Sequence, residues 1–325
     1  MTNKSKITWT DRTWNIMTGC TQVSDGCKFC YAKRQARRLA TIPGSGYEGD
    51  YAHPFDGMGF EVRLRPDRME DPKGWRKPSK VFVCSMGDLF HEEVPFEFIG
   101  EAFYVMARTP QHTYQVLTKR PARMLEFFEW LGGTSGAGWI AMRKDCVFPL
   151  PNVWLGVSVE NQAAADERIP ILAKVPAAVR FLSCEPLLGF VNLGFGGSFP
   201  SHGRWGWMDN EVIHLVIVGG ESGPGARPMH PEWAIDLRDQ CVGHDVPFMF
   251  KQWGEFQHGS DLSRSTVNKI VLNDGRYCDT PAELGFSSSD ARKWYDLDPT
   301  MMGKVGKKKA GRLLKGKLWN EYPRE

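Results

Sequence analysis

A chain of 325 residues has the length for one large domain or two ordinary ones, and for a sizeable buried core. Its 42% hydrophobic and 24% charged residues are the balance of a globular protein, which excludes a disordered or fibrous chain. A net charge of +3 permits contact with nucleic acid without arguing for it, and no run approaches the 18 apolar residues of a membrane span.

Taken in order, Met1–Thr10 contains no apolar leader core, so no secretory signal is expected and the cytoplasm is the expected location. In that reducing compartment the eight cysteines, at 20, 27, 30, 84, 146, 184, 241 and 278, are expected as thiols or metal ligands. Trp14–Met17 predicts a short first strand. Cys20, Cys27 and Cys30 follow within eleven residues, too tightly grouped to be three core fillers. Tyr31–Ala40, rich in helix formers and free of Gly and Pro, predicts a helix directly behind them. The stretch 41–59 reads as an irregular insertion.

Apolar, β-rich runs then recur at Lys80–Cys84, Tyr114–Leu117, Val153–Val157, Val179–Leu182, His214–Val218 and Pro247–Phe250. Each is continuously apolar, as a strand covered on both faces must be, and each stops at a polar or Gly-rich cluster. Helix-like segments lie between, over Phe96–Arg108, Pro121–Leu131, Gln162–Lys174 and Pro231–Val242. The alternation predicts an α/β fold, a partial or complete parallel (βα)6–7 TIM-like barrel with loop insertions at 132–151 and 187–210. The expected division is a barrel over 1–255 and a C-terminal extension over 256–325, ending in the lysine-rich stretch Gly303–Lys317. Right-handed crossovers open all the strands' C-terminal ends on one face, where such folds place their chemistry.

The cysteine loop has two readings. A structural zinc site needs four protein ligands, and the nearest fourth candidates, His53 and Cys84, lie in no second knuckle. The other is a [4Fe–4S] cluster held by three thiolates, with its fourth iron open. The second resembles the radical S-adenosylmethionine (SAM) superfamily, sharpest at Cys27-Lys-Phe-Cys30, where an aromatic residue, Phe29, precedes the last cysteine. The superfamily's usual first spacing is three residues; here it is six.

Further phrases resemble a phage- and bacteria-encoded radical-SAM-like family, the three-cysteine-motif proteins. They are Trp14-Asn-Ile-Met-Thr-Gly-Cys20, Ser85-Met-Gly-Asp-Leu-Phe-His91, Gly156-Val-Ser-Val-Glu-Asn-Gln162, Ser183-Cys-Glu-Pro-Leu-Leu-Gly189, Gly219-Gly-Glu-Ser-Gly-Pro-Gly225 and Phe250-Lys-Gln-Trp-Gly-Glu255. The resemblance implies a cluster at Cys20, Cys27 and Cys30, SAM as cofactor and an external electron donor. It further implies Asp88 and nearby carbonyls for the SAM amino group, and Lys119, Arg120 or Lys251 for its carboxylate. Ser158 and Glu160 are the candidates for the ribose, Gly219 and Gly220 for the adenine. Glu185, Glu221 and Lys251, with Arg227 and Gln252, are the candidates for catalysis and substrate.

A nucleobase or nucleotide, free or in nucleic acid, is the expected substrate. That expectation rests on the basic tail Lys304–Lys317 and on Trp205 and Trp207, since bases are held by aromatic stacking and basic side chains. The alternative is a zinc-stabilised nucleic-acid-binding protein without catalysis.

Overall fold

The structure is a computed structural model and describes residues 5, 7–47, 60–133, 147–194, 212–258 and 268–323. Among these, seven strands form one sheet: β1 (Arg12–Trp14), β2 (Lys80–Val83), β3 (Thr113–Thr118), β4 (Val153–Ser158), β5 (Val179–Cys184), β6 (Leu215–Gly219) and β7 (Phe248–Gln252), in that order. Every neighbouring pair whose register is described is parallel. Strands laid down in sequence order without reversal give the winding of a barrel rather than of a doubly wound sheet. The fold is α/β, of the partial TIM-barrel type. All six residues of β4 are buried, as a strand covered on both faces requires.

Helices α1 (Tyr31–Ala40), α2 (Phe96–Arg108), α3 (Pro121–Gly132), α4 (Gln162–Leu172) and α5 (Pro231–Gly243) stand where the sequence predicts them. Pro121 and Pro231 open α3 and α5, because proline's fixed φ suits a first helical residue and its missing N–H costs nothing there. The expected helix over Gln162–Lys174 ends at Leu172, two residues after the Pro170 it contains.

The first strand differs more. β1 lies at Arg12–Trp14, while Met17–Thr18 pairs antiparallel with Arg63–Leu64. Asn15 makes the break: its Oδ1 accepts from the Ser85 hydroxyl at 3.1 Å and the Met86 N–H at 3.2 Å. Ile16 and Met17 are fully buried, so their apolar character was sound evidence of burial and poor evidence of strand.

The chain packs as two compact units, Met1–Ser158 with Arg168–Arg180, and Val159–Glu167 with Phe181–Glu325. In the first, α2 and α3 meet through Phe103 and Phe127, whose rings lie 5.2 Å apart. Burying such a side chain contributes about 1.5–3 kcal/mol. In the second, Trp233 of α5 is 1% exposed and donates its indole N–H to the Asn273 carbonyl at 3.0 Å and side chain at 2.9 Å. This unit also carries an antiparallel sheet of β8 (Phe256–His258), β9 (Asn268–Val271), β10 (Tyr277–Cys278) and β11 (Thr300–Lys304), in the order β8-β11-β9-β10. Among the described residues no helix is long and apolar enough to cross a membrane. His53, Cys146, Trp205 and Trp207, and most of both expected insertions, lie outside the described residues.

Candidate functional site

In the first unit the cysteine loop begins where the chain must pass close to its own backbone. Gly19 has φ +93°, and a Cβ there would collide with the Glu61 carbonyl, so only glycine fits. Its N–H donates to Met86 at 3.0 Å, and the Cys20 N–H donates to Phe60 at 2.9 Å. A short 3-10 turn, Asp25–Cys27, brings the chain back, and Cys30 immediately precedes α1. Cys20 and Cys30 border an apolar floor of Ala32, Ala36, Tyr47, Phe60 and Met86. All three thiols are half-buried. Phe29, also half-buried, has the Lys28 ammonium 5.6 Å from its ring centre.

Among the described residues no three His, Cys, Asp or Glu side chains converge as a single ion requires. Zinc draws all its ligands to one point, whereas a cluster seats each thiolate on a different iron. Three thiols on one loop, two of them bordering an apolar floor and one beside a guanidinium, are a donor set that such a cluster could take.

That guanidinium belongs to Arg120, two residues beyond β3. Its Nη1 donates to Cys20 Sγ at 3.4 Å and to Asp88 Oδ2 at 3.3 Å. Nη2 reaches the Thr21 hydroxyl at 2.7 Å and carbonyl at 3.3 Å, and Nε reaches both Glu92 oxygens at 2.9 and 3.0 Å. Burial, reinforced by Asp88, pushes the Cys20 thiol up to about 12, against the opposing charge and hydrogen bond of Arg120. Asp88 is itself fully engaged. Oδ1 accepts from the Phe90 N–H at 3.1 Å and the Thr118 hydroxyl at 2.7 Å; Oδ2 accepts from the Lys119 N–H at 3.1 Å and from Arg120. Those donors fill about the four sites a carboxylate has. His91 completes the group, with Nδ1 accepting from the Glu93 N–H at 3.2 Å and Nε2 2.9 Å from the Thr21 hydroxyl. Burial, with Arg120 nearby, holds it below the ordinary histidine pKa.

In the second unit Glu185 follows β5 and forms an ion pair with Lys251 of β7 through Oε2. Its Oε1 is buried and has no partner among the described residues. Gly219, the last residue of β6, leaves room for this carboxylate: a Cβ there would stand 3.2 Å from Oε1. Gly220 passes against the Trp253 carbonyl so closely that any side chain would collide. Glu221 is locked to Arg227, accepting from its Nη2 at 2.7 Å and from its Nε and backbone N–H at 2.8 Å each. Desolvation, with Lys251 nearby, lowers the pKa of Lys307, so the C-terminal stretch adds a second lysine to the electrostatics of this site. Glu160 is 1% exposed, and Gln252 is buried. Ser158, in the first unit, is also buried, and its carbonyl accepts from Arg168 Nη1 at 2.9 Å.

The sequence named Glu185, Glu221, Arg227, Lys251 and Gln252 as one group without pairing them; the structure pairs Glu185 with Lys251 and Glu221 with Arg227. Sequence reasoning missed Thr21, His91, Glu92 and Thr118. Thr21 stands beside Cys20 and Thr118 ends β3, whereas His91 and Glu92 lie well past the end of β2 and carried no such signal.

No curated protein matches the chain. Two solved structures of spore photoproduct lyase, a cysteine-to-serine and a tyrosine-to-phenylalanine mutant, are similar to it at 12% and 10% identity. Each comparison covers 90% of this chain and 73% of that one, with a TM-score of 0.39. A family model described as "Protein of unknown function (DUF5131)" matches residues 4–323, nearly the whole chain, and it is to this family that the protein belongs.

Proposed function

We propose that the protein is a radical SAM enzyme in which Cys20, Cys27 and Cys30 hold a [4Fe–4S] cluster. The observation that carries this is the loop itself: three half-buried thiols behind the first strand of a parallel α/β sheet, two of them bordering one apolar floor. Cys84, Cys184 and Cys241 do not compete as ligands, because their side chains are enclosed in the core while the three loop cysteines are half-buried. When bound, the cluster supplies one electron for reductive cleavage of SAM, drawn from an external donor.

The chain's own residues have separable tasks. Asp88 has its carboxylate filled by protein donors, so it positions Arg120 and the turn after β3, and nearby backbone carbonyls are left for the SAM amino group. Glu160 and Ser158 are the ribose candidates, Gly219 and Gly220 the adenine candidates, and Lys119 the cation for the carboxylate. Glu221, held by Arg227, shapes the turn that follows Gly220. Glu185 and Lys251 are the substrate pair. An unpartnered carboxylate oxygen accepts from an N–H or amine, and an adjacent ammonium donates to a carbonyl. Together they match the mixed edge of a nucleobase, which is the substrate class we assign.

The test is anaerobic purification with iron and sulfide analysis, then a 5′-deoxyadenosine assay with SAM and a strong reductant. About four irons per chain and SAM cleavage, both lost in Cys30→Ala, are expected. Zinc in place of iron, or a full cluster that never cleaves SAM, would overturn the assignment and leave a nucleic-acid-binding protein as the better reading.

A further inference from the structure

The guanidinium of Arg120 has five N–H donors, and all five have partners. Nε–H faces Glu92, the two Nη2 hydrogens face the Thr21 hydroxyl and carbonyl, and one Nη1 hydrogen faces Asp88. The other points at the Cys20 sulfur. None is left for a substrate or for the SAM carboxylate.

We infer that Arg120 is a positioning residue that aims one N–H at the Cys20 ligand and sets the charge at that corner of the cluster. This rests on the cluster reading above. The fork explains why an arginine stands here: its plane is fixed by contacts to Glu92, Asp88 and Thr21, so the remaining N–H has one direction available. A lysine would bring the charge without the fork. Arg120 is 6% exposed, so little water screens the contact. Hydrogen bonds to ligating sulfurs withdraw charge from them and raise the cluster's reduction potential.

The experiment is an EPR-monitored titration of the anaerobically reconstituted full chain, with dithionite supplying one electron per cluster. Arg120→Gln should make the reduced cluster about tenfold scarcer at a given potential, about 59 mV for a one-electron couple. Arg120→Lys should recover part of that. Thr21→Val changes an exposed side chain and loosens the fork, with loss of the His91 contact besides, and leaves the charges in place, so it should shift the midpoint downward by less. Should Arg120→Gln fail to hold iron, this milder variant decides. Full iron and unchanged midpoints in every loaded variant would sink the inference while leaving the cluster standing. Wild type without iron would remove the cluster reading first, and this inference with it.

Discussion

Asp88 and Glu185 are both carboxylates beyond strand ends, and the structure gives them opposite duties. Asp88 is 6% exposed and spends both oxygens on protein donors, so Asp88→Ala leaves Arg120 without its buried partner. The expected loss is about 3–5 kcal/mol, read by urea unfolding; a loss under about 1 kcal/mol would show the pair to be dispensable. Burial also sorts the thiols. In the iron-free protein, iodoacetamide at pH 8 should label half-buried Cys27 and Cys30 and leave Cys84, Cys184 and Cys241 unlabelled until the chain unfolds, as peptide mapping would show. Metal-ligand candidates were legible from spacing alone, because three cysteines in eleven residues are a local fact. The partner of Cys20 was not, because Arg120 lies one hundred residues downstream and only tertiary packing brings it there.

Elements were the most legible scale. Continuous apolar runs located all the parallel strands but the first, and Pro121 and Pro231 marked two helix starts to the residue. β1 was misplaced because burial of Ile16 and Met17 imitates a strand, while the side-chain bonds of Asn15 that break it leave no pattern in sequence. Glycines at the ends of these elements divide into two kinds. Gly220→Ala would drive a methyl into the Trp253 carbonyl and should cost about 3 kcal/mol, the upper part of the overpacking range. Gly132, at the end of α3, faces nothing within 4 Å, and Gly132→Ala should leave stability unchanged or raise it by up to about 1 kcal/mol. Thermal melts of the two variants side by side check this, and equal melting temperatures would refute the close approach.

At the scale of the molecule, each compact unit contains a histidine held below its ordinary pKa chiefly by burial: His112 in the first and His258 in the second. Above about pH 6.5 both are neutral whether folded or not. As pH falls through that value the unfolded chain takes up protons that the folded chain resists, so stability declines until the depressed folded values are passed. Urea midpoints should therefore be lower at pH 5.5 than at pH 7.5, and His112→Gln should narrow the gap; a flat profile would contradict it. The contact between Cys20 and Arg120 has a consequence in time as well. Ribosomes make Cys20, Cys27 and Cys30 together, but the first thiol is clamped only after the end of β3 has emerged. A nascent chain therefore passes through an interval in which the three thiols exist and the seat of the first does not. Chains stalled before Arg120 should keep Cys20 open to alkylation, and chains stalled well beyond it should not; equal labelling of both would show that the loop seats itself unaided.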